Sequence, residues 1–173
     1  MHTLYLVSVW IHVLAATAWV GGMLFLVLVV VPWLRRGGRV DAAIFLRETG
    51  RRFRNVGWAC FGLLLVTGTF NLWVRGVRLA DFTRVEWLSS PFGLTVLLKL
   101  GVFVLILTMS SVHDFSLGPR ATLAIGRDPR SPEAEALRRR ASLLGRVNLL
   151  LALIVVALGV MLVRGVPTIL GNG

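Results

Sequence analysis

The chain has a single cysteine, Cys60, in 173 residues. One thiol excludes an intramolecular disulfide and any metal site built on a cysteine pair. Lysine is equally scarce: Lys99 is the only one, and the other basic residues are arginine. There are three histidines, His2, His12 and His113. A bundle carrying two haems, each held by two histidines, would need four, which counts against that architecture. The sequence has no Cys-x-x-Cys, no His-Glu-x-x-His and no glycine-rich phosphate loop ending in lysine. This chain on its own is therefore not built to drive pumping with ATP. Acidic residues are few, 8 against 19 basic, for a formal net charge of +11.

What is abundant is apolar sequence. Hydrophobic residues make up 56% of the chain and the mean hydropathy is +0.79. A soluble domain is about 45–50% apolar. Here the excess is gathered into runs long enough to cross a bilayer, which predicts an all-α polytopic membrane protein. Four spans are expected, at about 4–34, 56–74, 92–113 and 143–163, forming one antiparallel four-helix bundle and a single membrane domain. Leu4–Leu14 followed by Ala16-Thr17-Ala18 imitates a signal peptide. It lacks a basic n-region and the apolar run continues to Leu34, so the expectation is an uncleaved span. At 1.5 Å per residue span 1 is roughly 45 Å long, enough to require tilt or projection past the membrane.

The arginines sit between the apolar runs, where topology and anionic lipid headgroups explain them without nucleic acid. Loop 1 carries Arg35, Arg36, Arg39, Arg47, Arg51, Arg52 and Arg54. Its middle, 41–53, reads as a short amphipathic surface helix anchored by Ile44, Phe45 and Phe53. Loop 3 carries Arg120, Arg127, Arg130 and Arg138 to Arg140. Both basic loops fall on one side, which the positive-inside rule makes cytoplasmic, with loop 2 and both termini outside. Small residues along the spans, among them Gly22, Gly57, Gly68 and Gly159, suit close helix packing in lipid.

A lysine inside a span needs a partner, because an ammonium at the bilayer centre costs roughly 3 kcal/mol or more. Spans 1 and 3 enter from the same side. His12 lies about eight residues into the first and Lys99 about seven into the third, so the two side chains share a level. Tyr5, Ser8, His12, Ala16, Trp19 and Met23 form one face of span 1; Thr95, Lys99, Val102 and Ile106 form one face of span 3. Thr67 and Asn71 on span 2 are candidates to reach the same level. Three readings stay open. His12 and Lys99 are ligands of a bound metal or haem, they belong to a proton path or quinone site, or Lys99 snorkels outward and His12 is an interior histidine held by a hydrogen bond. At the other end Met109 and His113, four residues apart, together with Cys60 form a possible soft-ligand set for a copper ion. The competing reading is plain core for Met109 and Cys60, with His113-Asp114 orienting loop 3 through Arg120.

The stretch His12-VLAATA-Trp19-VGGMLFLVLVVVPWLR resembles the first span of the copper-resistance protein D (CopD) family. It is also similar to that of the HemJ-type protoporphyrinogen oxidases, where a histidine precedes a tryptophan by seven residues. Phe92-GLTVLLKLGVFVLILTMSSV-His113-DFSLGPR and the following LRRRASLLGRVNLLLALIVVALGVMLVRG resemble a CopD domain, with a lysine-led third span and a Pro-containing cytoplasmic turn. The first resemblance implies copper handling at the bacterial cytoplasmic (inner) membrane beside a periplasmic copper-binding protein. The second implies b-type haem (haem b) tied to His12 and Lys99. A single-haem redox protein linked to a quinone, and a non-catalytic subunit of a larger membrane complex, are the other expectations.

Overall fold

The computed structural model describes residues 1–34 and 39–165. Among them the chain is helical throughout, joined by short turns and without a strand. In order it forms α1 (His2–Phe25), a π turn (Leu26–Val30), α2 (Val31–Leu34) and α3 (Arg39–Val74). Then follow a 3-10 turn (Leu79–Thr83), α4 (Val85–Leu88), α5 (Pro91–Val112), a second π turn (His113–Leu117), α6 (Gly118–Arg127) and α7 (Pro132–Arg164). Four of these stretches are long and apolar enough to span a membrane: His2–Trp33, Glu48–Val74, Pro91–Arg127 and Pro132–Arg164. The protein is an all-α polytopic membrane protein.

The helices run well past the apolar segments. The expected surface helix at 41–53 is not a separate element, because α3 continues unbroken through it. No proline interrupts 39–74, and the exposed Arg51–Glu48 pair at 3.2 Å supports the turn there. Phe53 is not a lipid anchor either: its ring lies so close to Gly22 that a Cβ at that glycine would overlap it. Phe45 meets Trp33 edge to face at 6.1 Å. Arg35, Arg36 and the side chain of Ile44 lie outside the described residues.

Nor does Pro119 open a turn. It is absorbed into the continuing helix by the π turn just before it. A proline removes one N–H and crowds the preceding turn, and widening that turn to i→i+5 relieves both. The Gly118 N–H accordingly bonds to the His113 carbonyl, which a Cβ at residue 118 would approach to 3.0 Å. Span 1 repeats the device: the Val31 N–H bonds to the Leu26 carbonyl immediately before Pro32. Loop 3 shrinks to the turn at 128–131. There Ser131 caps α7 by accepting the Ala134 N–H at 3.2 Å, with Pro132 in the first helical turn. Ser90 and Pro91 start α5 in the same way, with Ser90 accepting the Gly93 N–H at 3.0 Å.

α1 packs on α3, α5 on α7, and α1 also touches α7. The core is a thin seam of small and aromatic residues. Ala152 and Ile106 are fully buried, and Ala15, Trp19, Cys60 and Phe61 nearly so. Trp19 meets the Phe61 ring at 4.8 Å, and Gly57 leaves room for the indole. Outward faces are apolar: Leu4, Val13, Leu28, Leu65, Val66, Val104, Leu150 and Val160 are all exposed. Such surface needs lipid as its solvent. Hydroxyls within the spans bond backward to carbonyls, as Thr67 to Leu63, Thr95 to Pro91 and Thr108 to Val104.

Candidate functional site

The polar side chains inside the spans gather at two levels. The first lies near the end of the bundle where α1 and α5 begin and α3 and α7 finish. The interior stripe on α1 holds: Ser8, Trp19 and Met23 are buried, while Tyr5, His12 and Ala16 are half-buried. On α5, Thr95 and Ile106 are buried and Lys99 and Val102 half-buried.

His12 Nδ1 lies 2.8 Å from Thr67 Oγ1. The Thr67 hydroxyl has one proton, and it donates that proton to the Leu63 carbonyl at 2.6 Å. Towards His12 the oxygen can only accept, so hydrogen-bond balance puts the imidazole proton on Nδ1. A neutral ring then carries its lone pair on Nε2. Gly68, the neighbour of Thr67, makes room for the ring: a Cβ there would stand 3.4 Å from His12 Cε1.

Lys99 reaches across to α7, where a Cβ at Gly159 would lie 3.3 Å from its Nζ. His12 and Lys99 are close enough to interact electrostatically. Among the described residues no hydrogen bond or ion pair satisfies the Lys99 amine. Two further polar atoms here are buried without partners, Ser8 Oγ and Asn71 Oδ1. Ser8 is one turn before His12 and Asn71 one turn after Thr67, and since α1 and α3 are antiparallel both lie one turn from the histidine towards the Tyr5–Arg75 end. Buried polar atoms without partners are rare in native proteins and ask for an explanation. At the mouth of this region Arg75 donates from Nε to the Tyr5 hydroxyl at 3.3 Å and from Nη1 to the Leu162 carbonyl at 2.9 Å.

The second level, at the opposite end, is organised by Asp114. Its Oδ2 accepts the Trp58 indole N–H at 3.1 Å and its Oδ1 faces His113 Nδ1 at 3.0 Å. Arg54 donates to the Asp114 carbonyl at 3.4 Å and stacks over Phe115 at 5.5 Å. Cys60 is elsewhere, buried against the aromatic seam. Among the described residues no three His, Cys, Asp or Glu side chains are grouped to hold a metal, so Cys60 does not join His113 and Asp114. Met109 is half-buried one turn before His113. His113 is tied to α3 through Asp114 and Trp58, not to loop 3 through Arg120. Counting along the spans had no means of finding Trp58 as the partner of Asp114, since the contact joins residues 56 apart.

The family model described as copper resistance protein D matches residues 47–162. The chain belongs to the CopD family. The CopD match contains α5 and nearly all of α7, together with Thr67, Asn71, Arg75, Lys99 and Gly159; His12 precedes it. The chain is also similar to an uncharacterized protein of Aquifex aeolicus (strain VF5), at 35% identity over 151 residues, 87% of this chain and 89% of that one. No solved structure matches. In this CopD protein, then, the polar region around His12, Thr67 and Lys99 draws on α1, α3 and α5, with Asn71 one turn away on α3 and Gly159 facing Lys99 from α7.

Proposed function

We propose that the protein handles copper in the bacterial cytoplasmic membrane, and that the His12–Lys99 level is where it binds the ion. The observation that carries this reading is a set of open donors spread over about one helical turn of the bundle. These are His12 Nε2, the Lys99 amine, Ser8 Oγ and Asn71 Oδ1. Two nitrogens and two neutral oxygens suit cupric copper better than they suit zinc or calcium. The Nδ1–H held by Thr67 is the outer-sphere support that metal-bound histidines ordinarily have. CopD membership supports copper as the ion.

Lys99 gives the site a proton-linked character. An ammonium repels the ion and has no lone pair, so copper binds only as the amine releases its proton. Copper affinity therefore rises with pH, by up to about tenfold per pH unit while Lys99 is protonated in the free protein. Lys99→Met supplies a donor that does not protonate and should bind copper without that slope.

In the proposed topology the basic loop end, with Arg51, Arg52, Arg54, Arg120, Arg127 and Arg138 to Arg140, faces the cytoplasm. The copper level then opens towards the periplasm, where a periplasmic copper-binding protein is the natural donor or acceptor. Met109 and His113 lie towards the cytoplasmic side and would serve as later ligands on the way in.

The test is metal analysis and an absorption spectrum of the purified protein and of His12→Ala, each loaded with cupric ion. One copper per chain in the wild type and none in the variant supports the assignment. Full copper occupancy in a folded His12→Ala protein sinks it. A Soret band in the wild type would instead favour b-type haem on the same two residues.

A further inference from the structure

Arg75 and Lys99 are bound to the same side of α7, about one turn apart. Arg75 caps the Leu162 carbonyl and Lys99 lies against Gly159, three residues earlier. The two cations also interact electrostatically. Among the described residues neither has a carboxylate partner: the ion pairs there are Arg51–Glu48, Arg84–Asp81, His113–Asp114 and Arg139–Glu135. Lys99 is half-buried and leaves water at a cost, whereas Arg75 is exposed at the edge of the bundle. The described residues supply no anion to either.

A cleft of about 190 Å³ opens between the start of α5 and the end of α7, lined by Pro91, Phe92, Thr95, Met161, Leu162 and Gly165; Arg75 adjoins it through Leu162 without lining it. Its walls are mostly apolar. Leu162 is the residue whose carbonyl Arg75 holds, and Thr95 lies one turn from Lys99 on the same face of α5. The Thr95 hydroxyl is already committed to the Pro91 carbonyl at 2.7 Å. The guanidinium has five N–H donors, and the tyrosine and the carbonyl take only two. We infer that this cleft is a binding site for an anionic phospholipid, with the phosphate on Arg75 and the Lys99 side and the first acyl methylenes between Phe92 and Met161.

A soluble anion would satisfy the charge but leave the apolar walls wet, and a zwitterionic lipid would fill the walls but bring no net charge. An anionic lipid does both. The inference does not depend on copper. The phosphate would also offset the positive charge that a metal ion brings to the neighbouring level.

The test uses the full chain in detergent, stripped of lipid and free of copper. Phosphatidylglycerol, phosphatidylcholine and inorganic phosphate are titrated separately, and bound lipid is counted by native mass spectrometry. One phosphatidylglycerol per chain is expected, held about fivefold or more tighter than phosphatidylcholine. Arg75→Gln should weaken it about fivefold, Arg75→Lys should retain most of it, and Arg78→Gln should leave it unchanged. Arg78 is the matched control because it lies on the same connection but its guanidinium is turned to the Trp73 and Val77 carbonyls and the Trp73 ring, none of which lines the cleft. Equal binding of the two lipids, or equal loss in the Arg75 and Arg78 glutamine variants, overturns the site. Displacement of phosphatidylglycerol by inorganic phosphate at like concentration would mean a soluble-anion site and overturns the lipid. If Arg75→Gln does not fold, the wild-type preference between the two lipids decides.

Discussion

Thr67→Val isolates the feature on which the copper reading depends. The change keeps the branched shape and removes one oxygen. His12 Nδ1–H then loses its acceptor at 2.8 Å, while the Leu63 carbonyl keeps the backbone partner of its helix. A buried donor left unpaired costs about 1–3 kcal/mol, so the metal-free protein should be destabilised by that order. Removing the outer-sphere partner of a metal-bound histidine costs roughly 10–100-fold in affinity. Cupric affinity should therefore fall by that factor, equivalent to about 1.4–2.7 kcal/mol. The assay is a competition titration against a chromophoric chelator in detergent, with thermal unfolding on the same samples. The same substitution in a His12→Ala background should add no further loss of stability, because the two residues act through one bond. A folded Thr67→Val protein within about threefold of wild-type affinity would refute the reasoning, as would an equal loss of stability in the His12→Ala background.

Two further substitutions test the packing that holds the spans together. Gly22→Ala should destabilise the protein by about 1–3 kcal/mol, because its Cβ meets the Phe53 ring, and Phe53→Leu should recover most of the loss. Chemical unfolding in mixed micelles reads both. Trp58→Phe keeps an aromatic ring between Phe61 and Phe115 but leaves Asp114 without its indole donor, and should cost about 1–3 kcal/mol. Copper binding at the His12 level should be unchanged in that variant, which the competition titration checks.

The sequence carried the fold because lipid imposes a simple rule. A span must be apolar and helical, so four apolar runs suffice to set the class. It also carried the level of the candidate site. His12 and Lys99 lie at matching distances from the starts of spans that run the same way, and helical rise is constant enough for such counting to place Thr67 beside the histidine. The helix ends were not readable in the same way. Pro119 and the arginines around it have the composition of a loop, yet a π turn takes up the proline and the helix continues to Arg127. Phe53 has the composition of a surface anchor, but Gly22 opposite it turns that ring inward. The contacts of Asp114 with Trp58 and of Arg75 with Tyr5 and Leu162 join helices far apart in sequence, and no spacing rule encodes them. Arg75 in particular has the place of an ordinary flanking charge until α7 is packed against it.

The most direct test of the account is electron paramagnetic resonance of the protein loaded with one equivalent of cupric ion. Nitrogen hyperfine splitting from His12 and Lys99 is predicted, reduced by one nitrogen in Lys99→Met and lost with the copper in His12→Ala. A cupric signal without nitrogen coupling, or one unchanged in a folded His12→Ala protein, would place the metal elsewhere and contradict the assignment of this level as the copper site.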